Sequence, residues 1–142
     1  MRRIITGIDA SGRSYATEDA ELVLAPAGDQ GIASATAAVT TSSPPPARVP
    51  DGSEPHELGI APGEVRWAIA RFPAGLFLPA HTTDSVDYDT VLEGSLEIGL
   101  DDGQHVLEAG DIVIVNGVSH TWTAGPDGCL VSFLQIGTPP PA

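Results

Sequence analysis

Apolar and polar residues alternate in short runs along most of the second half of the chain. From Gly63 onward the runs EVRWAIARF, YDTVLEG, SLEIGL, QHVLE, DIVIV, HTWTA and CLVSFLQIG carry the two-residue period of strands. They are joined by EG, DDG, AGD, NG and GPDG, whose glycine, asparagine and aspartate favour turns. No stretch holds a helical period for long. Closely spaced strands with such joints predict an all-β sandwich or barrel. Nearer the start, RRIITGI and AELVLAP flank DASGRS and predict an N-terminal β-hairpin. Residues 26–63 are rich in Ala, Gly, Ser, Thr and Pro and predict a long irregular loop. The expected organisation is one structural domain. Residues 1–63 form the hairpin and loop packed on a core at 64–137, and 138–142 form a tail.

A length of 142 residues fits one domain that buries a core without disulfides. The six basic residues are all arginine and face nineteen acidic ones, for a formal charge of −13. Nucleic-acid phosphates and anionic lipid are repelled by such a surface, so neither is expected as a partner. Cys129 lies in an apolar run and reads as a small core hydrophobe rather than a nucleophile. The opening MRRIITGIDASG has two arginines, but Gly7 and Asp9 break its apolar stretch, and no apolar run approaches the length of a membrane span. The expectation is a cytoplasmic protein.

The stretch LPAHTTDSVDYDTVLEGSLEIGL collects a histidine and three aspartates just before a strand-like run. Side chains alternate across a strand, so His81, Thr83, Asp87 and Asp89 share one face if the segment is extended. On a later strand His120 and Trp122 also share a face. If the two strands oppose one another, two imidazoles, two carboxylates, a hydroxyl and an indole meet in one lumen. A buried carboxylate without a partner costs several kcal/mol or becomes neutral, so the cluster needs a cation, mutual hydrogen bonding or water. Two histidines and a carboxylate suit a single divalent first-row metal with open positions, and His81, Asp87 and His120 are the expected ligands. A metal-free pocket doing acid–base work is the alternative. Thr83 and Trp122 are expected to line the substrate pocket. Asp84 reads as a loop cap, Trp67 as core, and His56 and His105 have no expected role.

The spacing itself is more specific. Gly75, five residues, His81, one residue, Thr83, three residues, Asp87, six residues and Gly94 resemble the first motif of the cupins. GDIVIVNGVSH, with Gly110, Asp111, Gly117 and His120, resembles the second. Thr83 stands where a second histidine is usual and Asp87 where a glutamate is usual. The second motif lacks its proline and its turn is one residue short. The resemblance covers about half the chain and implies a small single-domain cupin, an all-β double-stranded β-helix or jelly roll. It implies a lumen metal such as iron, manganese, zinc or nickel, held by the residues at positions 81, 87 and 120. It also implies a homodimer in which RRIITGI adds to a partner's sheet. Cupins carry many reactions. The carboxylate-rich lumen favours a non-oxidative lyase of the dehydratase kind acting on a small organic molecule, with Asp87 or Asp89 removing a proton and His120 protonating the leaving hydroxyl. A mononuclear iron dioxygenase and a non-catalytic module that binds a small ligand or metal are the alternatives.

Overall fold

The computed structural model describes residues 1–142 as ten strands without a helix. They are β1 (Arg2–Ile8), β2 (Ser14–Glu21), β3 (Ala25–Pro26), β4 (Ala33–Ser34), β5 (Val65–Phe72), β6 (Phe77–His81), β7 (Ser85–Leu100), β8 (Gly103–Glu108), β9 (Ile112–Val115) and β10 (His120–Gly137). The two long strands, β7 and β10, run antiparallel to each other along most of their length. Each changes neighbours midway. The first half of β7 pairs with β9 and the second half with β8. The first part of β10 pairs with β6 and the last part with β5. Two layers result, one ordered β8-β7-β10-β6 and the other β2-β1-β9-β7-β10-β5, which face each other without closing into a barrel.

The crossing from one layer to the other needs glycine. The β7–β10 register slips between Ala124 and Cys129 and again between Leu130 and Val131. Gly94 sits at this corner with φ +71°, and a Cβ there would run into the Gly128 carbonyl oxygen. Gly128 has φ +75° and backs against the Phe72 carbonyl. No other residue type tolerates both the backbone conformation and the approach. Between the layers lies one apolar cluster that includes Ile4, Leu96, Ile98, Leu107, Val113, Val118 and Val131, all essentially buried.

The N-terminal hairpin forms, but its second strand is SYATEDAE rather than AELVLAP. Asp9 sets this register: its carboxylate accepts hydrogen bonds from the Ser11 and Arg13 amides, closing a tight turn so that pairing resumes at Ser14. Val23 and Leu24 are left exposed beyond the strand. β1 lies parallel to β9 of its own sheet. Asp111 holds that junction by accepting from the Arg2 amide at 2.7 Å and the Glu108 amide at 3.0 Å.

On β5 the apolar pattern is inverted. Val65, Trp67 and Ile69 point outward, and Trp67 is 75% exposed, whereas Arg66, Ala68, Ala70 and Phe72 face the interior. Trp67 is therefore not core; its indole N–H donates to Ser132 Oγ on the outer face at 2.7 Å. The inward register is held by Arg66, which reaches Gln135 on β10.

The loop between β4 and β5 is anchored by one buried cation. Arg48 Nε donates to Asp84 at 2.9 Å, Nη1 to Asp51 at 3.2 Å and Nη2 to the Ser53 carbonyl at 3.1 Å. Its side chain is only 4% exposed. Asp84 is thus a structural partner, tying the loop to the β6–β7 turn. The following residues, Pro55 and His56, pair with Thr82 and pass over the end of the two layers. Arg48→Ala leaves two carboxylates without their cation, and urea unfolding is expected to show a loss of about 3 kcal/mol.

Candidate functional site

Strand register places the polar side chains in rows across the inner face of the larger layer. Arg66, Gln135, Asp87 and Val115 are successive neighbours in one row, and Ala68, Phe133, Asp89 and Val113 form the next row inward. The first row is a connected chain. Arg66 donates to Gln135 Oε1 through Nε at 3.1 Å and Nη2 at 2.7 Å, and Gln135 Nε2 donates to Asp87 Oδ2 at 2.9 Å. Ser85 Oγ donates to Asp87 Oδ1 at 2.5 Å and shares a 2.9 Å hydrogen bond with Thr83 Oγ1. From the opposite layer, His81 on β6 and His120 on β10 are direct cross-strand partners. Their ring centroids are 4.3 Å apart at a tilt of 53°, and Trp122 stands edge-on to His120 at 5.1 Å.

Both imidazoles are oriented the same way. His81 Nδ1 lies 2.8 Å from the Pro79 carbonyl and His120 Nδ1 2.9 Å from the Val118 carbonyl. A carbonyl only accepts, so in the neutral form of either ring these hydrogen bonds place the proton on Nδ1 and leave the Nε2 lone pair free. The two histidines, Thr83, Asp87 and Trp122 line one cavity of about 230 Å³. His56, Arg66 and Gln135 complete its polar side.

Burial drives the titration of these groups. Burial, reinforced by the neighbouring charge of His81, pulls the His120 pKa down to about 4, so this ring is neutral at pH 7. Burial pushes Asp87 up, against the hydrogen bonds from Gln135 and Ser85 and the charge of Arg66. Asp89 lies one row deeper and is 3% exposed; neither of its oxygens has a hydrogen-bond partner. Burial and the nearby Asp87 hold its pKa well above the ordinary carboxylate range. Asp89 is not among the residues that line the cavity.

No three His, Cys, Asp or Glu side chains converge here in a geometry that holds a metal ion, and each Asp87 oxygen accepts one hydrogen bond. The set expected from the sequence, His81, Asp87 and His120, is therefore not drawn together as a coordination shell. His56, which the sequence left in a loop without a role, packs its ring 5.8 Å from His81. Arg66 and Gln135 were missed as well. The signal for both was an inward-facing polar residue in a strand otherwise read from its apolar residues. His105 joins Asp102 and Asp19 far from this cavity, linking β8 to the N-terminal hairpin.

No family model matches the chain. Curated relatives include phomopsin biosynthesis cluster proteins C′ and D of Diaporthe leptostromiformis, each 30% identical over 121 residues, covering 84% of this chain and 56% of the relative. The chain thus spans about half the length of the curated relatives it matches. Among solved structures, a Rhizobium leguminosarum protein of unknown function aligns with a TM-score of 0.50 and 25% identity, over 53% of this chain and 72% of its own. A cupin protein from Bacteroides fragilis aligns at a TM-score of 0.46 and 22% identity, over 51% and 65% of the two chains. A cupin-2 domain protein from Shewanella frigidimarina aligns at 0.44 and 21%, over 49% and 68%. No helix is long and apolar enough to cross a membrane.

Two stability measurements follow from the buried titratable groups. Folded Asp89 keeps its proton at pH values where the unfolded chain has released it, so stability falls as the pH rises from about 4 toward the raised native value. Asp89→Val removes that slope and, by deleting an unpartnered buried polar group, gains about 1–3 kcal/mol at pH 7 in chemical denaturation. His120 has the opposite sense. The unfolded imidazole binds a proton near 6.5 and the folded one near 4, so acidification through that window costs roughly 3 kcal/mol. The His120→Gln variant is expected to lose this acid-side slope.

Proposed function

We propose, on the premise that this chain is a cupin by fold, that it is an enzyme carrying out non-oxidative acid–base chemistry on a small organic molecule, most simply the elimination of water from a β-hydroxy carbonyl compound. The observation that carries the reading is the pair of imidazoles with Nδ1 fixed on backbone carbonyls and Nε2 free in the same cavity as Asp87. The names of the curated relatives, proteins of a biosynthesis cluster, suit a step in small-molecule assembly.

Burial favours the neutral form of both titratable groups, which divides the work between base and acid. His120 is pushed down and presents a neutral Nε2, which suits the base. Asp87 is pushed up, which suits the acid. These roles run opposite to the assignment expected from the sequence. His120 Nε2 takes the proton from the carbon beside the carbonyl. The C–H electron pair becomes a C=C bond, and the hydroxyl on the next carbon leaves as water with the Asp87 proton. Solvent then returns a proton from His120 to Asp87, so atoms, charge and oxidation state balance without a co-reactant. Asp89 sits behind this row and has no contact with the substrate; Thr83 and Ser85 orient the Asp87 carboxyl through their hydrogen bonds.

Proton exchange tests the reading directly. A panel of β-hydroxy and unsaturated carbonyl compounds incubated in D₂O with the protein should gain deuterium at the α-carbon, followed by proton NMR. His120→Gln and Asp87→Asn are each expected to slow the exchange by roughly 10²–10⁴-fold. Exchange that is absent across the panel, or that survives both substitutions, would sink it.

A further inference from the structure

In a chain with nineteen acidic residues and six arginines, a cation without a carboxylate is unexpected. Arg2, Arg3, Arg48 and Arg71 each pair with one, and Arg13 is exposed on the surface. Arg66 differs from all of these. It is half-buried at the wall of the cavity, and its hydrogen-bond partners are neutral: the Gln135 side-chain carbonyl and the Leu58 backbone carbonyl. Those partners use three of its five N–H groups, leaving two. Asp87, the carboxylate that lines the cavity, is already engaged by Gln135 and Ser85.

Beside this polar row, on the same β5–β10 ladder, the wall turns apolar. Phe72 and Phe133 have ring centroids 5.9 Å apart, and Leu78 and Trp122 continue the surface. The cavity volume of about 230 Å³ is below the roughly 300 Å³ at which drug-sized sites begin. A ligand that satisfies both sides is small, with an apolar body and one planar anionic group. Guanidinium geometry matches a carboxylate in particular.

We propose that the cavity binds a small monocarboxylate with an apolar body, its carboxylate on Arg66 and its body against Phe72, Phe133 and Trp122. The proposal rests on the reading of this cavity as the reaction site and adds the class of substrate. The net negative charge of the protein does not oppose it at the site, because exposed charges are largely screened beyond about 8 Å at physiological salt.

Calorimetric titration of the full chain with 3-phenylpropanoate and hexanoate, beside 3-phenylpropanamide and hexanamide, tests it. These probes have no hydroxyl to eliminate, so binding is read independently of turnover. The carboxylates are expected to bind roughly tenfold or more tighter than their amides. Arg66→Gln should bring carboxylate affinity down to the amide level, with the circular dichroism and thermal melting of the variant showing that it folds. In wild-type protein, added sodium chloride should weaken carboxylate binding and leave amide binding unaffected, a readout that needs no variant. Equal affinity for acid and amide, no binding of either, or a carboxylate preference that survives Arg66→Gln or is insensitive to salt would overturn the proposal. A carboxylate preference without deuterium exchange on any substrate would leave this inference standing and remove the elimination reading.

Discussion

The pairing of β7 with β10 is the constraint on which the rest depends. Each strand is long enough to belong to both layers, and each turns the corner where Gly94 and Gly128 meet backbone to backbone. Because both strands turn together, the start of β10 delivers His120 to the layer of His81, while its end delivers Gln135 to Asp87 in the other layer. A single strand thus supplies both walls of the cavity. A side chain at either corner glycine pushes against backbone rather than against a movable side chain, so the layers cannot shift to absorb it.

The polar interior is tolerable because most of its groups satisfy one another. Arg66, Gln135, Asp87, Ser85 and Thr83 form one hydrogen-bonded line, and the two imidazoles donate hydrogen bonds from Nδ1 to nearby carbonyls. Asp89 is outside this arrangement, with both oxygens unpartnered. Its burial beside Asp87 favours the neutral acid, because two adjacent carboxylates do not both ionise readily in a low-dielectric setting. Stability is being given up at the row next to the cavity, where local rules of burial and pairing are commonly broken for function.

Much of the architecture was legible in the chain. The period-two runs and glycine-rich joints yield the strands of the core because turns and alternation are local properties, decided within a few residues. Positions 81, 83, 87, 120 and 122 line one cavity, but from two opposed layers, because the chain crosses between β6 and β7 instead of running on as one extended strand. Other features were opaque. On β5 the apolar residues Val65, Trp67 and Ile69 face outward, against the usual reading of alternation, because the cross-strand bond from Arg66 to Gln135 holds the register. The second hairpin strand was displaced because a turn built on Asp9 outweighed the apolar pull of LVL.

What the sequence determined by itself was therefore the all-β class, a two-motif spacing that resembles that of the cupins and the strand alternation of its histidines and aspartates. Each of these depends on neighbours close in the chain. What only the tertiary structure decided was the company those residues keep. Arg66 meets Gln135 across 69 positions and Asp87 meets Gln135 across 48. His56 reaches the cavity because Arg48 latches its loop onto Asp84, 36 positions away. Contacts at such separations depend on how strands stack and where a loop crosses them, and periodicity carries no record of either.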